Sequence, residues 1–145
     1  MSKINKIKAR QVFDSRGNPT VETEVFSNNL SASAICPSGA STGSFEAYEK
    51  RDTKNKKYLG KSVLSAVNIV NKKISKLLIN KNVHNQEAID KLLVDLDGTE
   101  QKSKLGANAI LSVSIAVKKL SAKLKKKPLY KSFFVKKNFK LPYPL

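Results

Sequence analysis

The sequence predicts an α+β domain, a three-stranded antiparallel meander followed by a small helical bundle. Two observations predict it. Period-two alternation of apolar and polar residues fills the first third of the chain, and a three-to-four-residue recurrence fills most of the rest. Strands first and helices afterwards argue against alternating βαβ units. The 145 residues, 40% of them hydrophobic, suit one domain with one packed core.

In the first strand Ile7, Ala9, Gln11 and Phe13 alternate with Lys6, Lys8, Arg10 and Val12. In the second, Val21, Thr23 and Val25 alternate with Thr20, Glu22 and Glu24. In the third, Ala32, Ala34 and Cys36 alternate with Ser31, Ser33 and Ile35. Each strand therefore presents one face to a core and one outward. Asp14-Ser15-Arg16-Gly17-Asn18-Pro19 is a turn cluster, and Asn28-Asn29 suits a tight hairpin because asparagine tolerates positive φ.

Val63, Val67, Val70, Ile74 and Leu77 predict a helix over 62–79. Ala88, Ile89, Leu92, Leu93 and Leu96 predict a second over 86–97, with Asn85 as N-cap and Asp97-Gly98 as its stop. A third runs from about 107 to 125, with Ile110, Ser114, Val117, Ser121 and Leu124 on one stripe. Its many alanines and serines allow close packing against another element. The tail Phe139-Lys140-Leu141-Pro142-Tyr143-Pro144-Leu145 is held extended by its prolines and reads as a linker. The domain is thus expected over 1–131 and the linker over 132–145.

The formal charge is +17, and almost all of it is lysine, since Arg10, Arg16 and Arg51 are the only arginines. Such charge has two readings. One is a polyanionic partner, RNA or another phosphate-rich molecule. The other is a compositional habit, which the spread of lysines and the abundance of asparagine and isoleucine favour. Readers of nucleic acid interleave basic residues with aromatics, and the longest basic run here is only Lys125-Lys126-Lys127. No apolar run reaches the ~20 residues of a membrane helix, and MSKINKIKAR lacks a signal-peptide core. A cytoplasmic protein without a membrane partner is expected. The one cysteine, Cys36, excludes an internal disulfide and suits a buried packing role.

Pro37-Ser38-Gly39-Ala40-Ser41-Thr42-Gly43-Ser44 is the densest motif: small side chains, two glycines and four hydroxyls directly after a strand. Glycines let backbone approach a ligand, and hydroxyl oxygens can complete a site for a hard cation. With no carboxylate in the loop, it could not make such a site alone. A plain surface loop explains the same composition. Phosphate-cradling readings fail: Gly60-Lys61-Ser62 lacks the glycine that should stand at Asn55, and Gly39 and Gly43 have the wrong spacing. His84 lies in a polar stretch and reads as solvated rather than catalytic. Glu46, Glu49, Arg51 and Asp52 read as a solvated charge cluster.

The longer motifs resemble the enolase family. Ala9-Arg10-Gln11-Val12-Phe13-Asp14-Ser15-Arg16-Gly17-Asn18-Pro19-Thr20-Val21-Glu22 is similar to that family's opening. Pro37 to Gly43, then Glu46-Ala47 and Arg51-Asp52, resemble its first mobile loop. Tyr58-Leu59-Gly60-Lys61, Leu96-Asp97-Gly98-Thr99-Glu100, Lys102-Ser103-Lys104, Gly106-Ala107-Asn108-Ala109-Ile110-Leu111, Lys127-Pro128-Leu129-Tyr130 and Leu141-Pro142-Tyr143-Pro144 follow in order. Ser62, where the family usually has glycine, and Tyr143, in place of a smaller apolar residue, are departures.

The resemblance implies a magnesium-dependent lyase of glycolysis that interconverts 2-phosphoglycerate and phosphoenolpyruvate. It implies that Ser41 ligates the second of two Mg²⁺ ions from a lid formed by Ser38, Gly39, Ala40, Ser41, Thr42 and Gly43. It implies that Arg10 and Glu22 lie at a homodimer interface. The family's metal carboxylates, lysine base and glutamate acid belong to a C-terminal α/β barrel. No position of this chain matches them, so no catalytic residue is expected in it and the chain alone is expected to be inactive. The alternative is a free-standing basic module that binds RNA or another polyanion.

Overall fold

The computed structural model describes residues 2–36, 38, 43, 45–54 and 56–133. Strands β1 (Lys6–Phe13), β2 (Pro19–Ser27) and β3 (Leu30–Ile35) form one antiparallel sheet in the order β1-β2-β3. Helix α1 (Leu64–Ile69) runs through a π-helical turn, Val70–Ile74, into α2 (Ser75–Leu78). Helices α3 (Gln86–Asp97) and α4 (Ala107–Leu124) follow. Short 3-10 turns lie at Lys57–Gly60 and Leu129–Ser132. This is the expected α+β meander and bundle. Residues 134–145, most of the expected linker, lie outside the described residues.

The turn chemistry is as the sequence suggests. Asp14 Oδ1 accepts from the amides of Arg16 (2.9 Å) and Asn18 (2.8 Å), with Gly17 at φ +73°. Asn28, in the two-residue hairpin turn, takes φ +53°. Asn85 Oδ1 accepts from the Ala88 amide at 3.2 Å, and Gly98 ends α3 in the left-handed conformation.

Helix α4 lies across β2 and β3, and α1 and the π-turn lie along β1. Ile7, Ala9, Val21, Val25 and Ala34 from the sheet meet Val70, Ile74, Leu78, Ile89, Leu93, Val113 and Leu120 from the helices in one buried cluster. Each large aliphatic side chain buried there contributes roughly 1.5–3 kcal/mol, against 0–1 for a surface ion pair. The core rather than the charge therefore decides stability.

Three sequence expectations shift. First, Gln11 and Phe13 do not extend the buried face of β1. Phe13 is exposed, with its ring edge-on to Tyr58 at 5.3 Å. Gln11 Oε1 accepts from the Val63 amide (2.9 Å) and the Ser62 hydroxyl (3.0 Å), so a polar contact to the start of α1 replaces apolar packing. Second, Leu78 rather than Leu77 is fully buried. The π-turn closes i→i+5 and delays the helical phase by one residue. Third, the deepest positions of α4 are Ala109, Val113, Ala116, Val117 and Leu120, while Ile110, Ser114 and Leu124 are only half-buried. The helix is covered by the sheet on one side and by α3 on another, so its buried arc is wider than one stripe.

The edges of the sheet are closed by side chains. Asn71 accepts from the Ala9 amide at 2.8 Å and donates to its carbonyl at 3.0 Å. On β3, Lys123 and Lys119 donate to the carbonyls of Ser31 (3.0 Å) and Ser33 (3.2 Å). Lysines along an edge discourage pairing with another strand.

Asp97, almost fully buried, ties α3 to the start of α4. Its carboxylate accepts from the Leu105 amide (2.7 Å), the Thr99 amide (3.0 Å) and the Thr99 hydroxyl. Burial alone would raise its pKa, but these hydrogen bonds and the nearby Lys102 outweigh it and hold the pKa below the ordinary 3.8. A carboxyl depressed in the folded state stabilises at pH above its unfolded value, and that contribution is lost as pH falls through the folded value.

Two predictions follow from this architecture. Asp97→Asn is expected to lower stability at pH 7 by about 1.5–3 kcal/mol, the cost of losing hydrogen bonds to a charge. The difference from the parent should shrink as pH falls below about 3.8 in a denaturant series. Gly106 has φ +94°, and a Cβ there would meet Lys50 Cβ at 2.5 Å and Asn108 Oδ1 at 2.7 Å. Gly106→Ala should therefore cost about 1–3 kcal/mol, combining strain with displacement of residues 48–50, whereas Gly17→Ala, with open space around it, should cost less in the same thermal melts.

Candidate functional site

The small-residue loop leaves β3 through a fixed root. The Cys36 amide still donates to the Val21 carbonyl at 2.9 Å, and its own carbonyl accepts from Thr20 Oγ1 at 2.7 Å. Two residues on, Arg16 Nη2 donates to the Ser38 carbonyl at 2.8 Å. Arg51 Nη2 donates to Ser38 Oγ at 3.2 Å, and that hydroxyl donates to Glu49 Oε2 at 3.3 Å. Ser38 is thus held by both its backbone and its side chain.

Arg51 gathers several segments at this point. Its Nη1 donates to the carbonyls of Pro19 (3.2 Å) and Lys61 (2.7 Å), and its Nη2 pairs with Glu49 at 2.8 Å. A planar guanidinium with five donors can join a strand end, a loop root and the approach to α1, which a lysine could not do in that geometry. Asp52, next to it, accepts from the Ser65 amide at 3.3 and 3.4 Å and so caps α1 from outside the helix. The Glu49-Arg51-Asp52 cluster is a structural junction and not a solvated group, while Glu46 is exposed.

A second root holds the other side of the loop. The Tyr48 amide donates to the Gln101 carbonyl at 2.7 Å, and the Tyr48 carbonyl accepts from the Ala107 amide at 2.8 Å. Asn108, buried at the start of α4, accepts from the Lys50 amide (3.2 Å) and donates to its carbonyl (3.0 Å). Sequence reasoning missed this clasp. Its only signal was the Gly106-Ala107-Asn108 motif, whose partner is 58 residues away.

Of the predicted loop residues, Ser38 sits at the first root, and Gly43 is exposed, its carbonyl accepting from the Glu46 amide at 3.1 Å. Gly39, Ala40, Ser41 and Thr42 lie outside the described residues. Arg10 and Glu22 are directly opposite in the β1–β2 register and on the sheet face away from the core. They form an ion pair at 2.5 Å, with Glu24 3.7 Å from Arg10. The hydrogen bond from Arg10 holds the Glu22 carboxyl below its ordinary pKa.

Cys36 is buried, and burial first, with Glu49 second and Arg51 opposing, pushes its thiol up to about 11. At neutral pH it is a poor nucleophile. His84 is half-buried against α4 and not solvated: its Nδ1 is 2.9 Å from Ser121 Oγ, and burial, with Lys125 nearby, lowers its pKa. Among the described residues no three His, Cys, Asp or Glu side chains come together in a way that could hold a metal ion. The carboxylate charge that Mg²⁺ requires is therefore not assembled by them.

The geometry is that of a loop held at both ends on a rigid scaffold. Residues 4–133 match the family described as "Enolase, N-terminal domain". The chain is 73% identical over 145 residues to the enolase of Pelagibacter ubique (strain HTCC1062), an alignment covering all of this chain and 35% of that protein. The chain thus spans about a third of the length of this curated relative. With the family match running across almost every described element, this chain belongs to the enolase N-terminal domain family.

Proposed function

We propose that this chain acts as the N-terminal domain of a magnesium-dependent phosphopyruvate hydratase, which interconverts 2-phosphoglycerate and phosphoenolpyruvate in glycolysis. The observation that carries the reading is the 73% identity to an enolase along the entire chain. In this reading residues 1–131 form the domain and 132–145 lead to a barrel that holds the acid, the base and the metal carboxylates. The loop from Ser38 to Gly43 serves as a lid, and Ser41 lends one neutral oxygen to the second Mg²⁺. The bound metal supplies positive charge against the developing ene-diolate.

The described residues contribute positioning. Arg16, Arg51 and Glu49 hold Ser38, three residues before Ser41, and Asn108 holds Lys50 beyond the loop. Fixing both roots lowers the entropic cost of holding a lid over a substrate, because the ends need not be ordered as well. Arg10 and Glu22, on the outward sheet face, contribute to a homodimer contact. The paired geometry suits that role, since an ion pair already formed needs no rearrangement on docking.

The test uses a chimera of residues 1–145 spliced to the remaining part of the Pelagibacter enolase. It is expected to convert 2-phosphoglycerate, followed by the absorbance of phosphoenolpyruvate, while the chain alone shows no turnover above background. In the chimera Ser41→Ala should lower kcat by on the order of 10²-fold, as for loss of one preorganised electrostatic contact. Ser38→Ala should cost much less, because Arg16 still holds the Ser38 carbonyl. A well-folded chimera without turnover would remove the enolase reading and leave the basic polyanion-binding module as the alternative. Equal activity of the two serine variants across Mg²⁺ concentrations would remove Ser41 as ligand.

A further inference from the structure

The two ends of the serine-rich loop are bonded to each other as well as to the scaffold. At the first end, Ser38 Oγ accepts from Arg51 Nη2 at 3.2 Å and donates to Glu49 Oε2 at 3.3 Å. Lys50 stands between these two partners in sequence, and one buried side chain grips its backbone from the core side. The Lys50 amide donates to Asn108 Oδ1 at 3.2 Å, and the Lys50 carbonyl accepts from Asn108 Nδ2 at 3.0 Å. Further bonds run beside this grip. The Tyr48 amide donates to the Gln101 carbonyl, the Ala107 amide to the Tyr48 carbonyl, and Lys50 Nζ to the Lys104 carbonyl at 3.2 Å. Asn71 grips Ala9 in the same two-bond manner at the edge of β1. An amide that satisfies both backbone groups of one residue takes the place of a neighbouring strand.

We infer that Asn108 is a positioning residue for the reaction: it fixes the strap 48–52, and Glu49 and Arg51 carry that placement to Ser38 at the far end of the loop. The inference rests on the reading of this loop as an enolase lid. Two observations set Asn108 apart from an ordinary residue at a helix start. The first is its donor. Asn108 Oδ1 also accepts from the Ala109 amide at 3.1 Å, a local duty that a carboxylate would perform better at the positive end of a helix. The first turn of α4 nevertheless has no acid. A carboxylate cannot donate, and the donor of Asn108 goes to the Lys50 carbonyl. The second is the space cleared for the strap. At Gly106 a Cβ would meet Lys50 Cβ at 2.5 Å and Asn108 Oδ1 at 2.7 Å, so a glycine there lets the strap lie against the helix start. Both choices serve the strap rather than the helix. A lid whose root is already placed has less freedom to lose when it closes over substrate. Loosening the root therefore weakens substrate binding, and leaves the chemical step in the closed state near its parent rate.

The experiment has two readouts on Asn108→Asp, which keeps the size and the acceptor and loses the donor. The first is NMR on the 145-residue chain, without metal or substrate. Amide exchange at Tyr48, Lys50 and Asp52 is expected to accelerate about tenfold more than at Val117 and Leu120 inside α4, and the order parameter of the Ser38 amide to fall. The second is kinetics in the chimera with the Pelagibacter barrel. KM for 2-phosphoglycerate should rise about three- to tenfold, with kcat within about twofold of the parent. Ile89→Val in α3 is the control for stability alone: it should lower Tm and leave both the strap amides and KM at parent values. If the new carboxylate lowers the melting temperature too far, Asn108→Ala removes both bonds without burying a charge. Strap amides that accelerate no more than Val117 and Leu120, or an unchanged KM in a folded variant, would overturn the assignment. A parent chimera without turnover removes the enolase reading by itself, and the exchange measurement then decides whether Asn108 places the strap.

Discussion

Helix α4 rests on the inner face of β2 and β3 and is covered in turn by α3, so the core on both of its sides depends on that contact. The approach is close because small residues line it. Ser112 lies 2.8 Å from Thr23, hydroxyl to hydroxyl, inside the core, and Ala109 and Ala116 are fully buried. A buried hydroxyl pair is tolerated because each satisfies the other, and Ser112 also has the Ala109 carbonyl at 3.1 Å. Larger side chains along this line would push the helix off the sheet and open the core on both of its sides.

The start of α4 carries the same constraint outward. Gly106 lets the backbone pass against Lys50, Asn108 clasps the Lys50 peptide, and Asp97 closes the segment that leads in from α3. Residues 48–52 are thereby fixed to the core, and through Arg51 they fix Ser38 at the far side of the loop. The helix thus sets where both ends of the serine-rich loop stand. A function that needs this loop in a reproducible place depends on packing some distance from it.

Much of this was legible in the sequence where the signal is local. Alternation, the turn at Asp14–Pro19, the cap at Asn85 and the stop at Gly98 depend on neighbours a few residues away, and the structure has them as expected. What was not legible depends on long-range pairing. Gln11 read as a core-facing strand position because its amide's partner is at Ser62–Val63. The phase of α4 was misread because period alone does not tell how many sides of a helix will be covered. Arg51 and Asp52 read as solvated because a charge that serves backbone groups 10 to 32 residues away looks the same in sequence as one that serves water. The loop itself was visible as composition, and its small residues were attributable to a lid only by resemblance. The anchoring of Ser38 emerged from geometry alone.

The charged residues divide the work by their chemistry. Arginines are only three, yet they make every ion pair within 4 Å among the described residues, and Arg16 and Arg51 also bridge backbone carbonyls. A planar fork loses less freedom for each hydrogen bond it forms, so it suits fixed junctions. Lysine holds a single point charge on a mobile stem and gains little from one exposed partner. Lys119 and Lys123 at the β3 edge donate to carbonyls, as do Lys50 and Lys102 elsewhere, and each does so through that one ammonium. A chain that uses lysine for nearly all its positive charge therefore folds through its core and its arginines, and retains a cationic surface that folding does not consume. Along the sequence that charge has a direction, because the acids stop at Glu100 while the lysines continue to Lys140.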